Sequence, residues 1–446
     1  MSLHAHLLAE RNVPRYTSYP TAPHFSPRVN AEVHARWLAE MPDTARLSLY
    51  LHVPFCRELC HYCGCHTKAV RRREPIDEYA ADLVAEIRTL AQRLGPHAVS
   101  QIHWGGGTPS MLGRELLLAV TAELDCAFAI GDLREHAIEL DPRHVDRTLA
   151  GTLFEMGVSR ASLGVQEFAP HVQQAIGRVQ PYETILRAVE VLRSQGIVDL
   201  NFDLMYGLPR QRIDDVRASA ETACRLAPQR IALFGYAHVP WMKKHQRLID
   251  IAQLPGPAER LAQAEAARQV FLAHGYVAIG FDHFALPGDA LALAARGGTL
   301  HRNFQGYTCD DADALIGIGA SAISRLPQGY AQNAPDLAGY SRAVQTGALA
   351  TVRGIALTAD DRLRASIIER IMCDLRVDLR GAAGGAGFTG FAAELASLRP
   401  LADEGLVRID DGSIEVTEYG RPFVRLVAAA FDAYFQPERQ RHSLAV

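Results

Sequence analysis

Four cysteines stand close together in HVPFCRELCHYCGC: Cys56, Cys60, Cys63 and Cys65. Thiolates at C-x3-C-x2-C spacing can ligate three irons of a four-iron cluster and leave the fourth iron open to a small molecule. An open iron points to an enzyme that activates a ligand at the metal, not to a simple electron carrier. The same thiols could instead close around structural zinc, which favours four-thiolate sites. Zinc sites usually join two cysteine pairs from separate stretches, and no second pair occurs in this chain. Cys126, Cys224, Cys309 and Cys373 are single, and each reads as a small buried apolar residue. Eight cysteines in 446 residues are too sparse for a disulfide framework.

Other residues could serve a ligand held at that loop. In Gly105-Gly106-Gly107-Thr108-Pro109 the missing Cβ atoms allow a ligand close to the backbone. Glu139, Gln166 and Asp203 fall at or near the ends of β-rich runs, and Arg178 follows one. Taken singly, each reads equally well as a turn or a solvated loop residue.

The elements that would position these groups alternate regularly. β-rich runs occur at LSLYLHV (47–53), VSQIHW (99–104), HAIEL (136–140), RASLGV (160–165), VDLNFDLMY (198–206) and RIALFGY (230–236). Helical stretches lie between them. Ile76, Tyr79, Leu83, Ile87, Leu90 and Leu94 mark one apolar helix face, and YETILRAVEVLRSQG (182–196) ends at a C′ glycine, Gly196. Six βα units predict an α/β fold with a parallel sheet and right-handed crossovers. Six fall short of a closed eight-unit barrel, so the expected form is a partial (β/α)6, TIM-like barrel. Ligands should gather at its C-terminal mouth, where the cysteine loop follows the first strand.

Three regions are expected: an arm at 1–45, a catalytic barrel at 46–350 and a mostly helical domain at 351–446. RYTSYPTAPHFSP, rich in proline, reads as an extended segment whose tyrosines and phenylalanine pack on something. The last region runs helix, helix, hairpin, with Asp411-Gly412 at the turn, a winged-helix-like order. Its recognition stretch carries Glu394 and only Arg399 as a base, which argues against DNA. GAAGGAG (381–387) lacks the strand-to-helix setting of a phosphate loop.

Apolar residues make up 48% and charged residues 22%, as in an ordinary globular protein. A net charge of -4 provides no global field for nucleic acid or an anionic membrane. No apolar run reaches the roughly 18 residues of a membrane span. The start, MSLHAHLLAERNVPRY, lacks the pattern of a signal peptide. A cytoplasmic location is expected, which suits an oxygen-sensitive cluster.

The cysteine loop preceded by LYLHVPF, the GGGTPS loop and the partial-barrel pattern together resemble the radical S-adenosylmethionine (SAM) enzymes. More narrowly, RYTSYPT (15–21), CRELCHYCGC (56–65), FDHFA (281–285), HRNFQGYT (301–308), GIGASAIS (317–324) and YAQN (330–333) resemble the oxygen-independent coproporphyrinogen III oxidase family. The likeness runs over almost the whole chain. It implies a 4Fe-4S cluster on Cys56, Cys60 and Cys63, with Cys65 not a ligand. The open iron would chelate SAM, and one electron would release a 5′-deoxyadenosyl radical that takes hydrogen from a propionate β-carbon. Loss of carbon dioxide and a further electron leaves a vinyl group. At two propionates this converts coproporphyrinogen III to protoporphyrinogen IX.

The resemblance implies two SAM molecules per chain. Tyr50, Tyr62, Gly106, Glu139 and Ile323 would contact the first, and Gly107, Thr108, Gln166, Arg178, Asp203 and Ala237 the second. Arg15, Arg302 and Asn303 are candidates for the substrate carboxylates, and the arm is expected to cover the mouth. An unidentified electron donor and acceptor are implied, and a monomer is expected. One branch of the family instead traffics heme. It generally lacks the YTSYPT arm and the fourth cysteine, and favours another pattern at 301–307, so all three features favour the oxidase.

Overall fold

The computed structural model describes Leu8 and residues 10–382 and 390–436. Six strands, β1 (Leu47–Val53), β2 (Val99–Gly106), β3 (Glu135–Leu140), β4 (Arg160–Gln166), β5 (Asp199–Tyr206) and β6 (Arg230–Gly235), lie side by side in chain order. Every neighbouring pair is parallel. Each coincides with an expected run to within two residues. Helices cover the outer face. The one at Glu74–Leu94 buries Ile76, Tyr79, Leu83, Ile87, Leu90 and Leu94 against the sheet, as their spacing requires.

The sheet extends further than six units. β7 (Val277–Ile279) and β8 (His283–Ala285) continue it antiparallel beyond β6. At the other edge β9 (Ala314–Ile318) pairs parallel with β1. Antiparallel β10 (Ile323–Leu326), β11 (Gly329–Asn333) and β12 (Thr351–Ala356) follow. The twelve strands run β12-β11-β10-β9-β1-β2-β3-β4-β5-β6-β8-β7, an open order. The parallel strand β9 corrects the six-strand expectation. Gly317 within it is needed because a Cβ there would lie 2.7 Å from the Ile323 carbonyl carbon.

Behind β1 and β9 a buried polar network ties the layers together. Glu86 accepts from Gly319 N at 2.7 Å, Asn333 Nδ2 at 2.6 Å and the Tyr340 hydroxyl at 2.7 Å. Tyr79 donates to the His52 carbonyl at 2.6 Å, fixing the end of β1 where the cysteine loop begins.

The arm contains a helix that the sequence reading passed over, Ala31–Ala39. It is short, and it is held by Asn30, whose side chain accepts from Glu32 N and Val33 N at 3.1 Å. Earlier in the arm, Tyr16 and Tyr19 bury themselves among Ile367, Ile371, Phe423 and Phe431 of the C-terminal region. There helices Ala359–Asp374 and Ala392–Asp403 precede a hairpin, Val407–Asp410 with Ser413–Val416, turned by Asp411 and Gly412 at positive φ. A third strand, Arg376–Asp378, pairs with the hairpin. Most of GAAGGAG lies outside the described residues. Cys224 and Cys373 are buried and Cys309 half-buried, but Cys126 is exposed, contrary to expectation. Among the described residues no helix is long and apolar enough to cross a membrane.

Candidate active site

Alternation along the strands builds the site. Residues two apart point to one face, so Ile102, Trp104, Ile138, Leu163, Leu200 and Phe202 enter the core beneath the helices. The residues between them, Gln101, His103, Glu135, Glu139, Arg160, Ser162, Asn201 and Asp203, line a cavity of about 1160 Å³. All four loop cysteines line the same cavity.

The thiols are held individually. Thr67 Oγ1 lies 3.2 Å from Cys56 Sγ, and Thr108 Oγ1 donates to the same sulfur at 3.5 Å. Arg178 Nη1 donates to Cys60 Sγ at 3.4 Å. Hydrogen bonding to Cys65, with His245 and Lys243 nearby, draws the Cys63 thiol down to about 6. That shift favours the thiolate, the form that ligates metal. A segment after β6 clamps the loop's backbone. Gln246 Nε2 donates to the Tyr62 carbonyl at 2.9 Å, His245 Nε2 to that of Cys63 at 2.7 Å and Lys243 Nζ to that of Cys65 at 2.8 Å.

Among the described residues, no three Cys, His, Asp or Glu side chains draw together around one point at single-ion distance. Soft sulfur donors arrayed along one loop suit the several irons of a cluster. The glycine run beside them leaves room. Gly106 has φ +108° and donates its amide to Glu139 Oε2 at 3.1 Å. A Cβ at Gly106 would lie 2.5 Å from the His52 ring, and one at Gly107 would lie 2.5 Å from the Phe55 carbonyl oxygen. Gly106→Ala is therefore expected to destabilise the fold by roughly 1–3 kcal/mol and to lower bound iron. Denaturant unfolding and iron analysis would check this; an unshifted midpoint with normal iron would contradict it.

Charge in the cavity is divided. Burial pushes the Glu139 carboxyl up, but His103 at 3.3 Å and the Gly106 amide outweigh it, so Glu139 stays ionised. Burial and the nearby Glu139 charge raise Asp203 to about 6, partly offset by Ser162 at 3.1 Å and Asn201 at 2.9 Å. Arg178 spends its whole fork on protein groups. Besides Cys60 it reaches Gly164 O at 2.8 Å, Gln180 Oε1 at 3.0 Å and Asp141 at 3.4 Å. It thus fixes the cysteine loop to the end of β4.

A family model described as the Radical SAM superfamily matches residues 50–223. The oxygen-independent coproporphyrinogen III oxidase of Bradyrhizobium diazoefficiens is 48% identical over 440 residues, covering 98% of each chain. That of Escherichia coli K12 is 39% identical over 426 residues, covering 95% of this chain and 93% of its own. The solved structure of coproporphyrinogen III oxidase from Escherichia coli, described as a radical SAM enzyme, superposes with a TM-score of 0.89 at 37% identity. It covers 96% of this chain and all of its own. The chain belongs to the oxygen-independent coproporphyrinogen III oxidase family. Membership brings with it a 4Fe-4S cluster and SAM as the family's cofactors.

The cavity gathers most of the residues named from the family's pattern. Arg15, Cys56, Cys60, Tyr62, Cys63, Gly106, Gly107, Thr108, Glu139, Gln166, Arg178, Asp203 and Ala237 all line it. Tyr50 stands behind, its ring stacked 5.9 Å from His103 and its hydroxyl 3.1 Å from His52 Nδ1. Ile323 begins β10 beside Gly317 and does not line the cavity. Arg302 lines an adjoining cavity instead. Asn303 turns its amide to Gln305, accepting from Gln305 N at 2.9 Å, and lines neither. Sequence reading missed His103, Ser162 and Asn201, which strand alternation could have revealed. It also missed Lys243, His245 and Gln246, for which no local signal exists.

Proposed function

We propose that this chain oxidises coproporphyrinogen III to protoporphyrinogen IX without oxygen, turning two propionates into vinyl groups with loss of carbon dioxide. The observation that carries this reading is the 48% identity over 98% of both chains to a relative of that name. The site's donor set supports it. Cys56, Cys60 and Cys63 would hold the cluster, with Cys65 free. Tyr50, Tyr62, Gly106, Glu139 and Ile323 would surround one SAM. Gly107, Thr108, Gln166, Arg178, Asp203 and Ala237 would border a second. When bound, the cluster and SAM supply a carbon radical able to take a hydrogen atom from an unactivated carbon.

The chain's own groups bind, orient and exclude water. A cavity of about 1160 Å³ exceeds the usual ligand pocket, in keeping with a tetrapyrrole beside nucleoside cofactors. Val13, Pro14, Arg15, Pro23 and His24 line it, which supports the arm at 1–45 as a cover that keeps water from the radical. The open strand order supports an incomplete barrel at 46–350 with the cavity at its mouth. The helix, helix, hairpin order supports a winged-helix-like domain at 351–446. Arg15, Arg302 and Asn303 remain the substrate candidates. A cytoplasmic monomer served by separate electron donor and acceptor completes the reading.

Reconstituted protein given coproporphyrinogen III, SAM and a reductant without oxygen should form protoporphyrinogen IX. Methionine and 5′-deoxyadenosine release with no change in the tetrapyrrole would refute the proposal. A second result concerns pH. Asp203, raised to about 6, is anionic above that pH and neutral below it. Glu139, Arg160 and His283 are the titratable groups that face it. Affinity for the sulfonium cation of SAM should therefore fall as pH drops through about 6, and Asp203→Asn should flatten that fall. Equal pH profiles for variant and wild type in SAM titrations would contradict this.

A further inference from the structure

A smaller cavity of about 360 Å³ adjoins the main one, and Arg15, Cys65, Phe234, Gly235, Tyr236 and Gln305 line both. Its wall is rich in buried guanidinium groups. Arg260 and Arg425 are only 6% and 5% exposed, and the Arg302 side chain is 5% exposed. Arg15 sits deep in the protein yet stays accessible, because it faces the void. The buried carboxylate opposite them is Asp282, already bonded to His283 Nδ1 at 2.7 Å and 3.9 Å from Arg302 Nη1. Glu265 and Glu418 also line the cavity, but they are more exposed and paired with Arg268, and Glu418 also with Arg421. Cations therefore outnumber anions in the buried part.

Arg302 is the telling group. Its Nε and Nη1 atoms are buried and have no hydrogen-bond partner. The rings of Tyr307 at 4.5 Å and Phe281 at 5.2 Å from its Cζ flank its plane. A buried guanidinium lacking part of its hydrogen bonding is costly unless an anion completes it. The planar fork matches a carboxylate. Burial also pulls Arg15, Arg260 and Arg425 below the ordinary arginine range, Arg425 to about 9, with the Arg15 charge adding to the effect on the other two. An arriving anion offsets this crowded positive charge.

We infer that this cavity holds the propionate carboxylates that the reaction leaves intact, an inference that rests on the coproporphyrinogen reading above. A carboxylate locked among guanidinium groups resists losing carbon dioxide, because the loss would forfeit its charge pairing. The reacting propionate then belongs in the main cavity, beside the cysteines. Anchoring the retained carboxylates holds the macrocycle while the other side is presented to the radical.

The test uses the full chain and fluorescence titration with two stable porphyrins. Coproporphyrin III carries four propionates; mesoporphyrin IX keeps only the retained pair, with ethyl groups at the reacting positions. Wild type should bind both, and Arg302→Gln should weaken both by about tenfold or more, while SAM titrations stay unchanged. Weakening of coproporphyrin III alone, or of neither, overturns the inference. Should the variant fail to fold, wild type decides: the dimethyl ester of mesoporphyrin IX should bind about tenfold more weakly than the diacid, and equal affinity overturns the inference. Binding of neither porphyrin by wild type would overturn the tetrapyrrole reading itself, and this inference with it.

Discussion

Replacing Cys60 with alanine is expected to lower turnover by roughly a thousandfold or more, about 4 kcal/mol of barrier, and to strip most of the iron. Cys56→Ala and Cys63→Ala should do the same, because each would remove one of the three thiolates of the C-x3-C-x2-C set. Cys65→Ala should keep its iron, since the C-x3-C-x2-C spacing is complete without it. Iron and sulfide analysis of the four variants, purified without oxygen, is the check. Equal iron loss in all four would instead indicate a four-thiolate site with no open position.

Arg178→Ala should be nearly as severe, for a structural reason. The buried guanidinium joins Cys60, Gly164, Gln180 and Asp141, so its loss leaves several buried groups short of a partner at once. Removing one member of a buried ion pair typically costs about 3–5 kcal/mol. Asp141 keeps Arg143 at 2.7 Å, which places the expected loss at the lower end, about 3 kcal/mol. Arg178→Lys retains the charge but cannot span the same partners, and should lie between. Denaturant midpoints and iron content of both variants test this; an Arg178→Ala protein as stable as wild type would contradict it.

The parallel strands were legible because their runs of Leu, Ile and Val are bounded by turn residues and separated by helical periods. β9 was not, because ALIGI is short and its glycine serves a close crossing with Ile323 that only the folded sheet reveals. The helix at Ala31–Ala39 is a nine-residue segment, too brief for its periodicity to stand out. Among site residues, the cysteines announced themselves by spacing, and Glu139, Gln166 and Asp203 by position at strand ends. The inward-facing His103, Ser162 and Asn201 were equally regular in period and could have been read. Lys243, His245 and Gln246 could not, since they meet the cysteine loop across about 180 residues of chain. Contacts of that kind leave no trace in local pattern. The arm's tyrosines were correctly read as packing residues, but their partners in the C-terminal region were visible only in the fold.

The proposed chemistry requires a cluster held by three thiolates, with one iron open to SAM. Electron paramagnetic resonance of the reduced, reconstituted protein before and after adding SAM tests that most directly. The expected result is a four-iron signal whose g-values shift when SAM is added, and that is absent from Cys60→Ala. A reduced cluster whose spectrum ignores saturating SAM would contradict it.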